Sequence, residues 1–313
     1  MALNSVEKRL IIPLPGNEEL AAAIAAAGDY QLGSLETRHF PDGESYVRFL
    51  DNVEGRDVDL ICTLAHPNDN FLAVVFAADA AREFNSRSVN LVTPYLAYMR
   101  QDIRFKSGEA ITSRTFARLV SSSFDSLLTI DPHLHRYHSL SEIYTIPARH
   151  LASAPVLAKW ISQNIEKPLL IGPDEESEQW VSEIGELAGA PFTVLRKTRY
   201  GDRNVEIHMG DLSQWKDRTP VLVDDIASSG RTMVEAAKQL QTQGLAKPVC
   251  VVVHGLFADD AFERLSAIAE KVVSTDCVPH SSNGISVAEL LVEGINYFAA
   301  ANAVETAKAG KSA

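Results

Sequence analysis

The chain has 313 residues, 46% of them hydrophobic and 22% charged, which is ordinary globular usage and enough apolar material for two medium-sized cores. Its 29 Lys+Arg against 41 Asp+Glu leave a formal charge of -12, which excludes a broad basic face for tracking nucleic acid or anionic lipid. Any phosphate must therefore be held locally. The polar N-terminal residues are followed by no apolar run of signal-peptide length, and the longest apolar stretches, 71–81 and 249–258, are too short for a membrane helix. A cytoplasmic protein with no membrane partner is expected. Cys62, Cys250 and Cys277 are odd in number, far apart and set among apolar residues, which fits buried reduced thiols rather than a disulfide framework or a zinc site.

In chain order, residues 9–14 form a short apolar strand, Pro15-Gly16-Asn17 punctuates it, and 18–27 is an Ala-rich helix closed by Gly28. The alternation returns as strand 58–64 and helix 71–84, then strand 89–93 and helix 113–120, then strand 126–130 leading into a His-rich loop. This rhythm predicts a parallel sheet flanked by helices. It restarts near Ala154 with helix 154–164, strand 168–171, helix 178–188, strands 192–195 and 221–223, helix 233–241 and strand 249–253. A helix at 263–270, a strand at 272–275 and an amphipathic helix at 287–301 follow, with a frayed tail beyond. The expected organisation is two α/β domains, 1–150 and 151–290, with a C-terminal helix and tail at 291–313. Ligands in such folds bind beyond the carboxyl ends of the strands.

The most informative segment is Val221-Leu222-Val223-Asp224-Asp225-Ile226-Ala227-Ser228-Ser229-Gly230-Arg231-Thr232. It reads as an apolar strand running into two acids, a small-residue turn and a helix. Backbone N–H groups of such a turn, backed by a helix N-terminus, form a concave anion site. Ser228, Ser229 and Thr232 add hydroxyl donors, and Gly230 lets a phosphate approach the backbone closely. Asp224 and Asp225 stand where vicinal sugar hydroxyls could be gripped or a metal's water shell held. The plain alternative is a strand end followed by an Asp/Ser-capped helix. The stretch resembles the PRPP-binding loop of the phosphoribosyltransferase fold, where PRPP is 5-phosphoribosyl 1-diphosphate. That alone leaves enzymes that make PRPP and enzymes that consume it both open.

Further segments over residues 15–288, in order and at similar spacing, resemble the ribose-phosphate diphosphokinase (PRPP synthetase) family. Phe40-Pro41-Asp42-Gly43-Glu44 is similar to its nucleotide loop, which implies an aromatic ring stacked on adenine and acids accepting from its amino group and the ribose. As bare residues it is a turn with an exposed Phe. Pro94-Tyr95-Leu96-Ala97-Tyr98-Met99-Arg100-Gln101-Asp102 is similar to the family's segment ending in Arg-Gln-Asp. The resemblance implies that Arg100 neutralises ATP phosphate charge, with Gln101 and Asp102 in polar support; the plain reading has surface charges on a loop. The apolar residues just before them argue for a loop packed down on the domain.

Thr129-Ile130-Asp131-Pro132-His133 ends a strand, and the resemblance makes His133 a metal-linked residue, with Asp131 two residues away on the same extended face. His135 and His138 match nothing in the pattern. Ile171-Gly172-Pro173-Asp174 is similar to the strand end whose aspartate holds Mg²⁺ near the ribose, although an Asx turn would use Pro-Asp equally well. In Arg196-Lys197-Thr198-Arg199, Lys197 and Arg199 match the cations of a flexible catalytic loop, and Gly201 and Asp202 fit a hairpin beyond them. Without the resemblance these are solvated surface cations.

The resemblance implies two tandem phosphoribosyltransferase-like domains, each a mainly parallel sheet flanked by helices. It also implies transfer of diphosphate from ATP to ribose 5-phosphate with Mg²⁺. On that basis Lys197 and Arg199 are the catalytic cations. Arg199, Asp224, Asp225, Ser228, Ser229, Gly230, Arg231 and Thr232 face ribose 5-phosphate; Phe40, Asp42, Gly43, Glu44, Arg100, Gln101 and Asp102 face ATP; and Asp131, His133 and Asp174 face the metal. A homo-oligomer, from a dimer up to a hexamer, is implied, with the 40–44 loop completing a neighbour's ATP site. No Gly-x-x-x-x-Gly-Lys-Ser/Thr loop occurs, so nucleotide binding rests on these segments. The chain departs from the pattern at Ser228, at Arg231, at Glu175-Glu176-Ser177 and at Ile103, which replaces a basic residue. A PRPP-using transferase and a non-catalytic regulatory subunit remain as alternatives.

Overall fold

The computed structural model describes residues 9–134, 136–200, 204–208 and 210–309. It divides into two compact units, one of Met1–Leu151 with Ala288–Ala313 and one of Ala152–Val287.

The first unit runs β1 (Arg9–Pro13), α1 (Glu18–Gly28), β2 (Gln31–Leu32), β3 (Leu35–His39), β4 (Ser45–Phe49), β5 (Asp57–Ile61), α2 (Pro67–Glu83), β6 (Ser88–Val92), α3 (Thr112–Ser123), β7 (Ser126–Ile130) and β8 (Ala148–Leu151). A parallel sheet of order β2-β1-β5-β6-β7-β8 forms its centre. Every residue of β5 and β7 is buried, as strands covered on both faces require. Strands β3 and β4 form a separate antiparallel hairpin, from Leu35 opposite Phe49 to His39 opposite Ser45. They have no counterpart among the predicted elements.

One polar layer crosses this sheet. Arg9 bonds to Asp59, Asn90 Nδ2 donates to Asp59 Oδ1 at 2.9 Å, and Ser126 Oγ donates to Asn90 Oδ1 at 2.8 Å. Asp57, next along, is held by Arg87 and by Ser88 Oγ. Buried charges persist because each has partners.

The second unit runs α4 (Ala154–Asn164), β9 (Pro168–Gly172), α5 (Glu178–Ala188), β10 (Phe192–Val194), β11 (Arg196–Tyr200), β12 (Asn204–His208), β13 (Thr219–Ala227), α6 (Arg231–Thr242), β14 (Val249–Gly255), α7 (Ala261–Ile268), β15 (Lys271–Thr275) and β16 (Asn283–Ile285). Its parallel sheet has the order β10-β9-β13-β14-β15-β16. Strand β13 extends well past the expected 221–223 because β14 goes on pairing with it as far as Ala227 opposite Gly255. Asp224 and Asp225 are therefore strand residues.

The last helix, α8 (Ala288–Ala309), returns to the first unit and packs on α1, β7 and β8. A Cβ on Gly294 would lie 2.6 Å from a Leu128 methyl, so only glycine permits this approach. Tyr30 Oη donates to Asn296 Oδ1 at 2.6 Å and the Arg149 guanidinium lies 3.9 Å above the Tyr297 ring. Among the described residues no helix is long and apolar enough to cross a membrane.

Candidate active site

On the second unit the buried run Val221, Leu222, Val223 anchors β13 between β9 and β14. Beyond Ala227 the chain turns sharply, and the turn is held from behind through its carbonyls. Phe257 N–H donates to Ala227 O at 2.9 Å, Ala258 N–H to Ser228 O at 3.0 Å, and Arg264 Nη2 to Ser229 O at 3.1 Å. Gly230 then opens α6 in the left-handed region, φ 63, and no side chain caps the helix. The first N–H groups of a helix have no partner inside it and carry the positive end of its dipole. An uncapped start preceded by a turn whose carbonyls point backward has the geometry that suits an anion. Ser228 and Thr232 are partly buried beside it, while Ser229 and Arg231 are exposed. The plain alternative, a side-chain cap from Asp or Ser, is not formed.

Three acids lie at the adjacent strand ends. Leu222 pairs with Ile171, so Asp224 and Asp174 emerge close together from β13 and β9. Burial, then the neighbouring Asp225 and Asp174 carboxylates, pushes Asp224 well above the usual carboxylate range. Asp225 N–H donates to Asp224 Oδ1 at 3.0 Å. Asp174 also makes the expected local turn, accepting from Ser177 N–H at 3.2 Å. Crowded carboxylates of this kind suit a divalent cation that keeps most of its water and takes few protein oxygens. Among the described residues no group of three His, Cys, Asp or Glu is arranged to hold a metal by protein ligands alone.

Lys197 and Arg199 lie in β11, opposite Ile207 and Val205 of β12, so the expected loop is an antiparallel hairpin. Their side chains, and Gly201 and Asp202, lie outside the described residues. The hairpin leaves the sheet at Leu195, whose N–H donates to Gly172 O at 3.0 Å just before Pro173 and Asp174.

On the first unit, residues 40–44 form the tip of the β3–β4 hairpin. Phe40 N–H donates to Glu44 O at 2.8 Å, Gly43 N–H to Phe40 O at 2.9 Å, and Glu44 N–H to Asp42 Oδ1 at 3.2 Å, with Gly43 at φ 94. Phe40 is 40% exposed. The Arg38 guanidinium lies 4.6 Å from the Phe40 ring centre and 4.2 Å from that of Tyr46.

Leu96, Ala97 and Met99 are buried, so the 94–102 segment is packed down. Arg100 is exposed. Gln101 Oε1 accepts from Thr112 Oγ1 at 3.0 Å. Asp102 is buried, and Arg136 Nη1 donates to both of its carboxylate oxygens, at 2.8 and 3.1 Å.

Asp131 and His133 require a correction. Strand β7 ends at Ile130, and both residues have positive φ, 35 and 53, so they do not lie on one extended face. Asp131 N–H donates to Leu151 O at 3.1 Å. Both side chains are partly buried. His138 is exposed, and His135 lies outside the described residues. Arg38, Arg136 and Arg264 had no signal in the sequence, because each meets its partner only through a turn or hairpin.

Two parallel α/β units, one carrying a strand, an acidic pair, an uncapped turn and a helix, define a protein of the phosphoribosyltransferase fold class. Residues 10–123 match the N-terminal domain of ribose phosphate pyrophosphokinase, and residues 139–290 match the phosphoribosyl transferase domain. The ribose-phosphate pyrophosphokinase of Methanopyrus kandleri is 35% identical over 88% of this chain and 95% of its own length. That of Methanothermobacter thermautotrophicus is 33% identical over 91% of this chain and 99% of its own. The crystal structure of phosphoribosylpyrophosphate synthetase from Mycobacterium smegmatis superposes with a TM-score of 0.80, covering 93% of this chain and 98% of that one at 24% identity, and so shares the fold. The chain belongs to the ribose-phosphate pyrophosphokinase family.

Proposed function

We propose that this chain transfers the terminal diphosphate of ATP to the C1 hydroxyl of ribose 5-phosphate, giving PRPP and AMP. The observation that carries this is the uncapped N-terminus of α6, opened by Gly230 next to Asp224 and Asp225. A sugar phosphate fits it, with the phosphate on the N–H groups of residues 228–232 and the ribose hydroxyls toward the acids. The C1 oxygen attacks the β-phosphorus of ATP, the bond to the α-phosphate oxygen breaks, and AMP leaves. The protein's task is to place the reactants in line and to meet charge on the phosphate oxygens.

We assign that charge stabilisation to Lys197 and Arg199, which stand on a hairpin that starts beside the acids. Phe40, Asp42, Gly43 and Glu44 are assigned to adenosine, and Arg100 and Gln101 to the nucleotide phosphates. Asp174 on the second unit and, separately, Asp131 and His133 on the first unit are assigned as donors to Mg²⁺. When bound, the cation supplies charge neutralisation at phosphate oxygens. The crowding of Asp224, Asp225 and Asp174 supports a cation there. The exposed tip at Phe40 supports a homo-oligomer in which this hairpin reaches a neighbour's nucleotide. The three buried free cysteines fit a reducing, cytoplasmic setting.

The test is AMP release from ATP, Mg²⁺ and ribose 5-phosphate by the purified chain. Release that depends on ribose 5-phosphate is expected. A chain silent alone but active with a second subunit would be regulatory, and pyrophosphate-dependent consumption of a nucleotide without AMP release from ATP would mark a transferase.

A further inference from the structure

We infer that Arg136 is a ligand for the phosphates of the bound nucleotide and that Asp102 is its positioning residue, without touching the nucleotide itself. This rests on the proposed placement of ATP at Arg100 and Gln101. The Asp102 side chain is 3% exposed and both of its oxygens accept from Arg136 Nη1. It has no face to offer a polyanion, and as a carboxylate it would repel one. Arg136 is the outward member of the pair, its side chain 48% exposed. Both bonds to Asp102 leave from one nitrogen. Among the described residues, Nε and Nη2 take no hydrogen-bond partner, and a guanidinium carries five N–H donors in a rigid fork suited to phosphate oxygens.

The fork is held on more than one side. The Phe105 ring centre lies 5.5 Å from the guanidinium carbon. Tyr137 Oη donates to Asp102 O at 3.3 Å and lies 3.2 Å from Ser113 Oγ, while Ser113 N–H donates to Gln101 O at 3.3 Å. Arg136 is thereby tied to the backbone that presents Arg100 and Gln101, and it follows His133 by three residues. Beyond Arg100 on this loop, Ile103 carries no charge, and Arg104 turns back to donate from Nε to Glu109 O at 2.9 Å. Arg136 instead keeps an ordered, exposed donor edge, at low entropic cost to any anion it meets.

The test is competitive binding of ATP and of adenosine, which has base and ribose but no phosphate, to the full chain. Because Arg136→Gln alone strands a buried carboxylate and can unfold the loop, Asp102→Asn/Arg136→Gln is measured beside it. Loss of a charge-assisted phosphate contact predicts ATP binding weakened about 10- to 100-fold in the double variant, with adenosine binding within about twofold of wild type. Equal weakening of ATP and adenosine, or ATP binding within twofold of wild type, overturns the inference. Arg100→Gln runs in parallel. If it weakens ATP while the double variant does not, Arg136 alone is misassigned; if neither matters, the nucleotide placement fails as well.

Discussion

Gly230 shows how much of the proposed chemistry rests on single residues. Its φ of 63 is open to glycine and costs other residues about 1–2 kcal/mol, although the space beside it would admit a methyl group 3.6 Å from Ala261. Gly230→Ala should therefore fold, but with the first turn of α6 displaced. The KM for ribose 5-phosphate should rise about tenfold with little change in the KM for ATP; steady-state kinetics with each substrate varied decides it, and an unchanged KM for ribose 5-phosphate counts against the cradle. At Lys197 the expectation is different in kind. A cation that meets charge only in the transition state is worth about 3–4 kcal/mol, by analogy with an oxyanion donor. Lys197→Ala should lower kcat by two to three orders of magnitude with modest change in the KM for ATP, and near-normal turnover would remove it from the catalytic set.

At the scale of elements, the β3–β4 hairpin carries Phe40 exposed at its tip. Arg38 lies against both Phe40 and Tyr46, and an exposed cation–π contact is worth about 0.5–1 kcal/mol. Arg38→Ala should raise the KM for ATP a few-fold and leave kcat alone, a split that initial rates can detect. The polar layer under the first sheet predicts an acid response. Burial acts to raise the Asp57 carboxyl, but hydrogen bonds from Arg87 and Ser88 and the charge of Arg9 outweigh it and hold the group below its ordinary value. A depressed carboxylate adds stability above its unfolded pKa of about 3.9, lost as pH falls through the folded value. The stability gap between wild type and Asp57→Asn, read by denaturant titration, should be full above pH 5 and shrink below about pH 4.

Most of these elements were legible because parallel strands buried on both faces are plain apolar runs, as at residues 126–130, and their helices repeat on schedule. The β3–β4 hairpin was not, because Leu35–His39 and Ser45–Phe49 mix charged and apolar residues on partly exposed strands. The same limit applied at the site. The turn at residues 225–232 announces itself through small residues and adjacent acids. That Asp102 faces inward to Arg136, or that Asp131 and His133 leave the extended region, depends on contacts across tens of residues or on local backbone twists with no compositional trace.

For the molecule as a whole, the chain's end belongs to its beginning. Helix α8 closes over β7 and β8 through Gly294, where an added side chain would press on Leu128 and Leu151. Gly294→Val overpacks that contact and should cost about 1–3 kcal/mol in denaturant unfolding. An unchanged midpoint would mean that the helix is dispensable to the first unit. The net charge of -12 leaves the anionic substrates to be drawn by local cations and the helix N-terminus rather than by the protein's overall field. The proposed reaction is read directly in the phosphorus NMR spectrum of ATP, Mg²⁺ and ribose 5-phosphate incubated with the purified chain. Equimolar AMP and a new anomeric diphosphate are predicted. ADP with a pentose bisphosphate, or no turnover by a folded chain with or without a second subunit, would contradict it.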